Sequence, residues 1–169
     1  PFIAYHETIT KTVQAEGKHK KQTGGHGQFG KALIEIEPLP RGSGFEFVSR
    51  IVGGVIPRQF IPAVEKGVIA ALTRGELGKF PVVDLRVTLV DGSHHSVDSS
   101  EQAFYQAGIQ GIRAALPDAG SILLEPVMEV EIDIPEEDVG KVTKEINSRR
   151  GHVGGYAYKE LTTLIKAEV

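Results

Sequence analysis

The sequence predicts an α+β fold, and three observations carry that expectation. Residues such as 29–37 and 82–90 alternate apolar and polar side chains, the mark of half-buried strands, between segments rich in Gly and Pro. Residues 60–72 and 103–116 instead repeat their apolar residues at helical spacing. A breaker at 121–126 is followed by a separate set of elements in the order β-α-β-β.

In chain order, residues 7–22 mix β-branched and long polar side chains (Thr8, Ile9, Thr10, Thr12, Val13) and read as one strand. It runs into a basic tail, Lys18-His19-Lys20-Lys21. The turn Thr23-Gly24-Gly25-His26-Gly27-Gln28 follows, and its glycines permit positive φ and a tight reversal. Residues 29–37 form the second strand, with Ala32, Ile34 and Ile36 alternating against Leu33, Glu35 and Glu37. Residues 38–44 are a breaker-rich loop and 45–51 a third short strand. Gly53-Gly54-Val55-Ile56-Pro57 leads into a helix. Because proline fits only the first turn, the helix starts near residues 58–60, with Pro62 just inside it. Phe60, Ile61, Val64, Val68, Ile69 and Leu72 share one face, and Gly75 and Gly78 end it.

Residues 82–90 are the strongest strand, with Val83, Leu85, Val87 and Leu89 on one face and Asp84, Arg86 and Thr88 on the other. The turn Asp91-Gly92-Ser93-His94-His95-Ser96-Val97-Asp98-Ser99-Ser100 follows, with two adjacent histidines. Ser99, with Gln102 three residues on, matches a capping box, which starts a helix running to about Leu116. Ala103, Ala107, Gly111 and Ala115 form a small stripe that permits close approach; Phe104, Ile112 and Leu116 form a bulky one. Beyond the breaker, Val127, Met128, Val130, Ile132 and Ile134 mark a strand. Pro135 then opens a helix with the acidic first turn Glu136-Glu137-Asp138. Val139, Val142 and Ile146 face inward, Arg149-Arg150 close the helix and Gly151 caps it. Residues 152–158 and 161–169 are two further strands. The set reads as an α+β sandwich cut short before its second helix.

The chain has 169 residues, enough for one domain or two small ones. With no cysteine, a disulfide framework, a thiolate metal site and a Cys nucleophile are excluded, which fits a reducing compartment. No apolar run approaches the roughly 20 residues that span a bilayer, and no signal peptide is visible. The chain opens at Pro1 and stops within a strand, and so reads as an excised fragment. A net charge of −3 hides an asymmetry: residues 11–31 hold five Lys and one Glu, residues 125–138 seven acids and no base. Segregated charge suggests that one end meets an anionic partner, while solvated surface and helix-end electrostatics are the plainer explanation.

Catalytic chemistry finds little support. The pattern G-x-x-x-x-G-K-[ST] is absent, and Gly24-Gly25-His26-Gly27-Gln28-Phe29-Gly30 lies between two strands, with no helix N-terminus to hold a phosphate. His94 and His95 are adjacent, so on a strand they point to opposite sides. His26 with one of them and an Asp would bind a metal only if the two turns met, and nothing in the spacing demands it. A Ser99, His95 and Asp98 triad lacks the G-x-S-x-G context, and Ser99 is already read as a cap. Binding remains. Lysines that neutralise phosphates, glycines that let backbone approach and imidazoles that stack on or bond to bases suit an RNA surface. A generic protein-interaction domain fits the residues equally.

At these residues the chain resembles the C-terminal portion of bacterial translation elongation factor G, over nearly its whole length. Tyr5-His6-Glu7-Thr8-Ile9 resembles the family's opening strand and His19-Lys20-Lys21-Gln22-Thr23-Gly24-Gly25-His26-Gly27-Gln28-Phe29-Gly30 its first tip. Gly54-Val55-Ile56-Pro57 and Val82-Val83-Asp84 flank its first helix, and residues 91–100 resemble its second tip. Leu123-Leu124-Glu125-Pro126-Val127-Met128 and Asn147-Ser148-Arg149-Arg150-Gly151 resemble its last domain.

The resemblance implies residues 1–120 as the factor's fourth domain, similar to ribosomal protein S5 domain 2, and 121–169 as a truncated, ferredoxin-like fifth domain. It implies a cytoplasmic, monomeric translational GTPase that promotes translocation. Its fourth domain reaches the small-subunit decoding region and the tRNA–mRNA duplex; its fifth sits near the large-subunit factor-binding centre. GTP and Mg belong to an N-terminal domain outside this chain, so no cofactor, metal or catalytic residue is expected here, and no membrane. The contacting residues carried over are Lys20, Lys21, Gly24, Gly25, His26, Gly27, Gln28, Ser93, His94 and His95. His95 stands at the family's tip histidine, which carries diphthamide in archaeal and eukaryotic relatives; the modification is not expected here. Gln28 stands at the tip glutamine. The family commonly has Arg at positions 6 and 26, Tyr at 94 and Asp at 96, so His6, His26, His94 and Ser96 are departures. They leave a paralogue in ribosome recycling, or a ribosome-protection factor of the tetracycline-resistance type, as the alternative parent.

Overall fold

A computed structural model describes residues 2–169, without the side chain of Thr23; Pro1 lies outside the described residues. The chain divides into two compact units, the first ending at Leu124 and the second covering Glu125–Val169.

The first unit is built on a four-stranded sheet. Strands β2 (Val13–Thr23), β3 (His26–Pro38), β4 (Phe45–Ser49) and β5 (Leu85–Ser93) lie in the order β2-β3-β5-β4. The β2–β3 and β3–β5 pairs are antiparallel, and β4 runs parallel to β5. Helix α1 (Ile61–Leu72) makes the crossover that parallel neighbours require. Helix α2 (Glu101–Ala115) packs on β2 and β3, and α1 packs on α2. The alternation seen in sequence is the burial pattern: Ala32, Ile34 and Ile36 of β3 and Leu85, Val87 and Leu89 of β5 are fully buried. They meet Val64 and Val68 of α1 and Phe104 and Ile112 of α2 in one core. Each of these Ile, Leu, Val and Phe side chains contributes about 1.5–3 kcal/mol by leaving water.

The small stripe of α2 is used as its composition suggests. A Cβ on Gly17 of β2 would stand 1.8 Å from the carbonyl oxygen of Ala107, and one on Gly30 of β3 2.9 Å from that of Ala103. On the other side of α2, a Cβ on Gly67 of α1 would stand 2.1 Å from the Tyr105 carbonyl oxygen. Glycines thus set the closeness of the three layers.

Several element boundaries differ from the sequence expectation. The expected single strand over 7–22 is two: β1 (His6–Thr8) and β2. Between them the amides of Thr10 and Lys11 both donate to the Ala119 carbonyl, which breaks the ladder. β1 pairs instead with β6 (Ile122–Leu124), at the expected inter-domain breaker. The strand expected over 82–90 starts at Leu85, because Asp84 takes φ 59°, and runs on through Asp91-Gly92-Ser93, which pair with residues 31–33 past a bulge at Leu33/Ile34. Helix α1 is preceded by a 3-10 turn, Arg58–Phe60, with Pro62 in its first turn as expected. It ends at Thr73, not at Gly75 and Gly78. Gly75 leaves room for the fully buried Glu7, whose carboxylate accepts the amides of Leu77 and, at 2.9 Å, Phe80.

The second unit is the expected β-α-β-β set. β7 (Glu129–Pro135), β8 (His152–Tyr158) and β9 (Thr162–Glu168) form an antiparallel sheet in the order β7-β9-β8. Helix α3 (Val139–Ser148) packs Ile146 against Ile165 and Ala167. Glu136–Asp138 form a 3-10 turn ahead of α3. The C-terminal cap is displaced by one residue. Arg150, not Gly151, takes the left-handed conformation at φ 64°, while the Gly151 amide donates to Ile146 and that of Arg150 to Asn147, the paired bonds of a Schellman motif. The acidic stretch is partly neutralised inside this unit: Asp133 pairs with Lys159, Glu131 with Lys166 and Asp138 with Lys141.

Candidate nucleic-acid interface

The β2–β3 hairpin projects past the end of β5. Lys31 is the last residue of β3 that pairs with β5, yet β2 and β3 remain paired out to Thr23 and His26. The two-residue turn Gly24-Gly25 has φ of 62° and 108°. Positive φ at both positions is the hairpin turn that matches strand twist. A Cβ at either glycine would meet nothing within 4 Å, so glycine is required there by conformation alone.

Along the hairpin, alternation places Lys18 and Lys20 on one face and Lys21 on the other, all exposed. Lys18 Nζ lies 6.0 Å from the Phe29 ring centroid. Lys21 pairs with Gln28 in the ladder, and the diagonal neighbour His19 places Nε2 2.8 Å from Gln28 Oε1. The amide oxygen can only accept, so this bond needs Nε2 protonated, and it fixes the orientation of the Gln28 side chain. Sequence reading missed His19. The signal was present: a Gly24-Gly25 turn fixes the register, and the register makes residues 19 and 28 diagonal partners.

The second tip folds onto the first. The Asp98 carbonyl accepts the Phe29 amide at 2.9 Å. Gly27 makes room for Asp98, whose Cγ lies 2.8 Å from where a Cβ on Gly27 would be. Ser99 is not the helix cap: Ser100 is, its hydroxyl accepting the Ala103 amide at 3.1 Å. Ser99 Oγ instead accepts the His95 amide at 2.8 Å and donates to the Phe29 carbonyl at 3.0 Å. His95 Nδ1 stands 3.5 Å from Asp98 Oδ2, and its ring meets Phe29 edge-on with centroids 6.3 Å apart.

Of the ten expected contact residues, Lys20, Lys21, Gly24, Gly25, His26, His94 and His95 are exposed, and Gly27 and Gln28 are half-buried beside them. Ser93 is half-buried at the last position of β5, opposite Lys31, and belongs to the strand rather than the presented loop. His94 turns away from His95, its Nδ1 3.0 Å from the Val55 carbonyl oxygen. The metal set considered from sequence is not gathered: among the described residues no three His, Cys, Asp or Glu side chains converge to hold an ion. The arrangement is a basic hairpin with a braced imidazole loop against it, suited to contacting phosphates and base edges.

Two family models divide the chain between them. One described as elongation factor G, domain IV, matches residues 1–120, and one described as elongation factor G C-terminus matches residues 122–169. The fold is therefore that of the C-terminal α+β domains of a translation elongation factor. The chain belongs to the elongation factor G family. It is 56% identical, over all 169 residues, to elongation factor G of Aquifex pyrophilus, covering 24% of that protein. It is 58% identical over 151 residues to the elongation factor G-like protein of Thermotoga maritima, which is 89% of this chain and 22% of that protein. A crystal structure from Thermus thermophilus superimposes with a TM-score of 0.94 at 38% identity, over 100% of this chain and 25% of the other. The chain thus spans about a quarter of the length of the curated relatives it matches.

Proposed function

We infer that this chain is the ribosome-contacting part of a translational GTPase that promotes movement of tRNA and mRNA. In this reading the two tips of the first unit enter the small-subunit decoding region and contact the tRNA–mRNA duplex. The second unit lies near the large-subunit factor-binding centre. GTP and Mg are handled by another part of the parent, so this chain needs no cofactor and performs no catalysis. The parent acts as a cytoplasmic monomer; among the described residues no helix is long and apolar enough to cross a membrane.

The observation that carries this reading is the closure of the His95 loop on the Lys-rich hairpin through Ser99, Asp98 and Phe29. That closure supports one compact RNA-facing end, with permanent charge from Lys18, Lys20 and Lys21 and orientable polar groups from Gln28 and His95. In the full-length factor, His95→Ala and Gln28→Ala should slow single-turnover translocation while ribosome-stimulated GTP hydrolysis stays near its normal rate. Unchanged translocation in both variants would remove the tip assignment. A non-RNA interaction domain would show partner binding that is insensitive to salt. The Thermotoga maritima relative bears the name elongation factor G-like protein, which keeps a paralogue's task, recycling or ribosome protection, as the second reading. A translocation assay with the full-length parent separates the two.

A further inference from the structure

A third loop stands at the same end of the first unit. β4 runs parallel to β5, so its C-terminal end points toward the tips, and residues 50–57 continue from it. The loop is tied down at three points. The Arg50 amide donates to Leu89 at 2.9 Å, the fully buried Ile56 packs where Gly92 has no side chain, and His94 Nδ1 reaches the Val55 carbonyl at 3.0 Å. A carbonyl oxygen only accepts, so this contact needs a proton on His94 Nδ1.

Between these ties the loop encloses a hollow of about 530 Å³, within the range of roughly 300–1,000 Å³ typical of small-ligand sites. Ile51, Val52 and Ile61 give it apolar walls, Gly53 and Gly54 open backbone, and Arg58 a cation. Val52 is 78% exposed, an aliphatic side chain on the surface beside the exposed Arg50 and Arg58. Arg50 and Arg58 are both exposed, and neither has an ionic partner among the described residues. Apolar walls beside an unpaired guanidinium suit one ligand chemistry well: a flat base laid on the aliphatic surface, with its phosphate on the arginine. A duplex offers phosphates, 2′-hydroxyls and groove edges but keeps its base faces stacked inside, so it presents no free base to lay on an apolar wall.

We propose that the hollow formed by residues 49–61 is a seat for one unstacked nucleotide of single-stranded RNA, with Arg58 as its phosphate contact and His94 positioning the loop. The proposal rests on the RNA-facing reading of the tips and extends it to a part of the chain that sequence reading treated only as a lead-in to α1.

The test is methyl and amide NMR on the 169-residue chain, titrated with a single-stranded RNA decamer and, separately, with a ten-base-pair RNA duplex. The expected result is saturable shifts of the Ile51 and Ile61 methyls and the Gly53 and Gly54 amides with the single strand only. Arg58→Ala should weaken binding about fivefold to tenfold and reduce the slope of log affinity against log salt by about 0.7; Arg58→Lys should restore the slope. Shifts at Gly24, Gln28 and His95 with none at Ile51 and Ile61 would overturn the seat while leaving the tip reading intact. Equal methyl shifts with the duplex would overturn the unstacked base. No shift at either place would remove both readings.

Discussion

Ser99 and His95 close a small ring at the second tip: the His95 amide donates to Ser99 Oγ at 2.8 Å, and the Ser99 amide donates back to the His95 carbonyl at 3.2 Å. The same hydroxyl donates to Phe29 of the neighbouring hairpin, so one oxygen holds the loop's shape and its attachment. Ser99→Ala removes both bonds at a half-buried site, at about 1 kcal/mol. Amide hydrogen exchange at His95 should rise about fivefold, with little change in the midpoint of global unfolding. An unchanged exchange rate would refute the brace.

The His19–Gln28 pair makes a second expectation. If His19 acts by orienting Gln28, then in the full-length factor His19→Ala slows translocation less than Gln28→Ala, and the double variant is no slower than Gln28→Ala alone. Additive losses would mean that His19 contacts the partner itself.

Glycines at three positions should respond to Ala in three ways. Gly17→Ala drives a methyl into the Ala107 carbonyl, where both sides are backbone, and should cost about 3 kcal/mol or prevent folding. Gly24→Ala meets nothing within 4 Å but must hold a φ of 62°, at about 1 kcal/mol. Gly140→Ala, exposed within α3 with nothing within 4 Å, should stabilise by about 0.5–1 kcal/mol. Denaturant melts of the three variants rank them.

Asp84 gives a pH dependence. Burial pushes its carboxyl up, but the amides of Gly44 and Gly42 and the Arg41 guanidinium outweigh that and hold it below the ordinary carboxylate value. A folded value below the unfolded one means the stabilisation is present above the unfolded pKa of about 3.9 and is lost as pH falls through the folded value. Asp84→Asn keeps a residue that tolerates φ 59° but removes the charge. It should cost about 1.5–3 kcal/mol near neutral pH, and the difference from the parent chain should shrink as pH falls below the unfolded carboxylate value of about 3.9. A difference that stays constant with pH would show that shape, not charge, is what position 84 supplies.

Much of the fold could be read from the chain because its cause is local. Alternation in 29–37 and the stripes of α2 are the burial pattern itself, since each side chain's face follows from backbone period; in 82–90 Leu85, Val87 and Leu89 are buried as expected, but Val82, Asp84 and Thr88 are buried too. The misreadings share a non-local cause. By sequence Ser99, with Gln102 three residues on, is the better cap; the Phe29 carbonyl, 70 residues away, claims its hydroxyl, and Ser100 caps the helix instead. The break at Thr10 and Lys11 depends on Ala119, and the extra length of β5 on a bulge at its own Val90, which the ladder skips opposite Leu33 and Ile34. Arg150 holds the left-handed position next to a glycine that would hold it at less cost, a choice that local sequence signals do not foretell. At the candidate site both turns were legible from their glycines and histidines. His19 and the loop at 50–57 were not, because their roles arise from register and from a strand parallel to β5.

The glycines that draw α2 onto β2 and β3 bear on mechanics as well as packing. With Gly17 and Gly30 seated against the helix backbone, the hairpin has no joint between these two seats: bending it there would shear α2 across the sheet. A push on Gly24-Gly25 is therefore borne by the whole first unit, and the projecting end works as a stiff strut rather than a compliant finger.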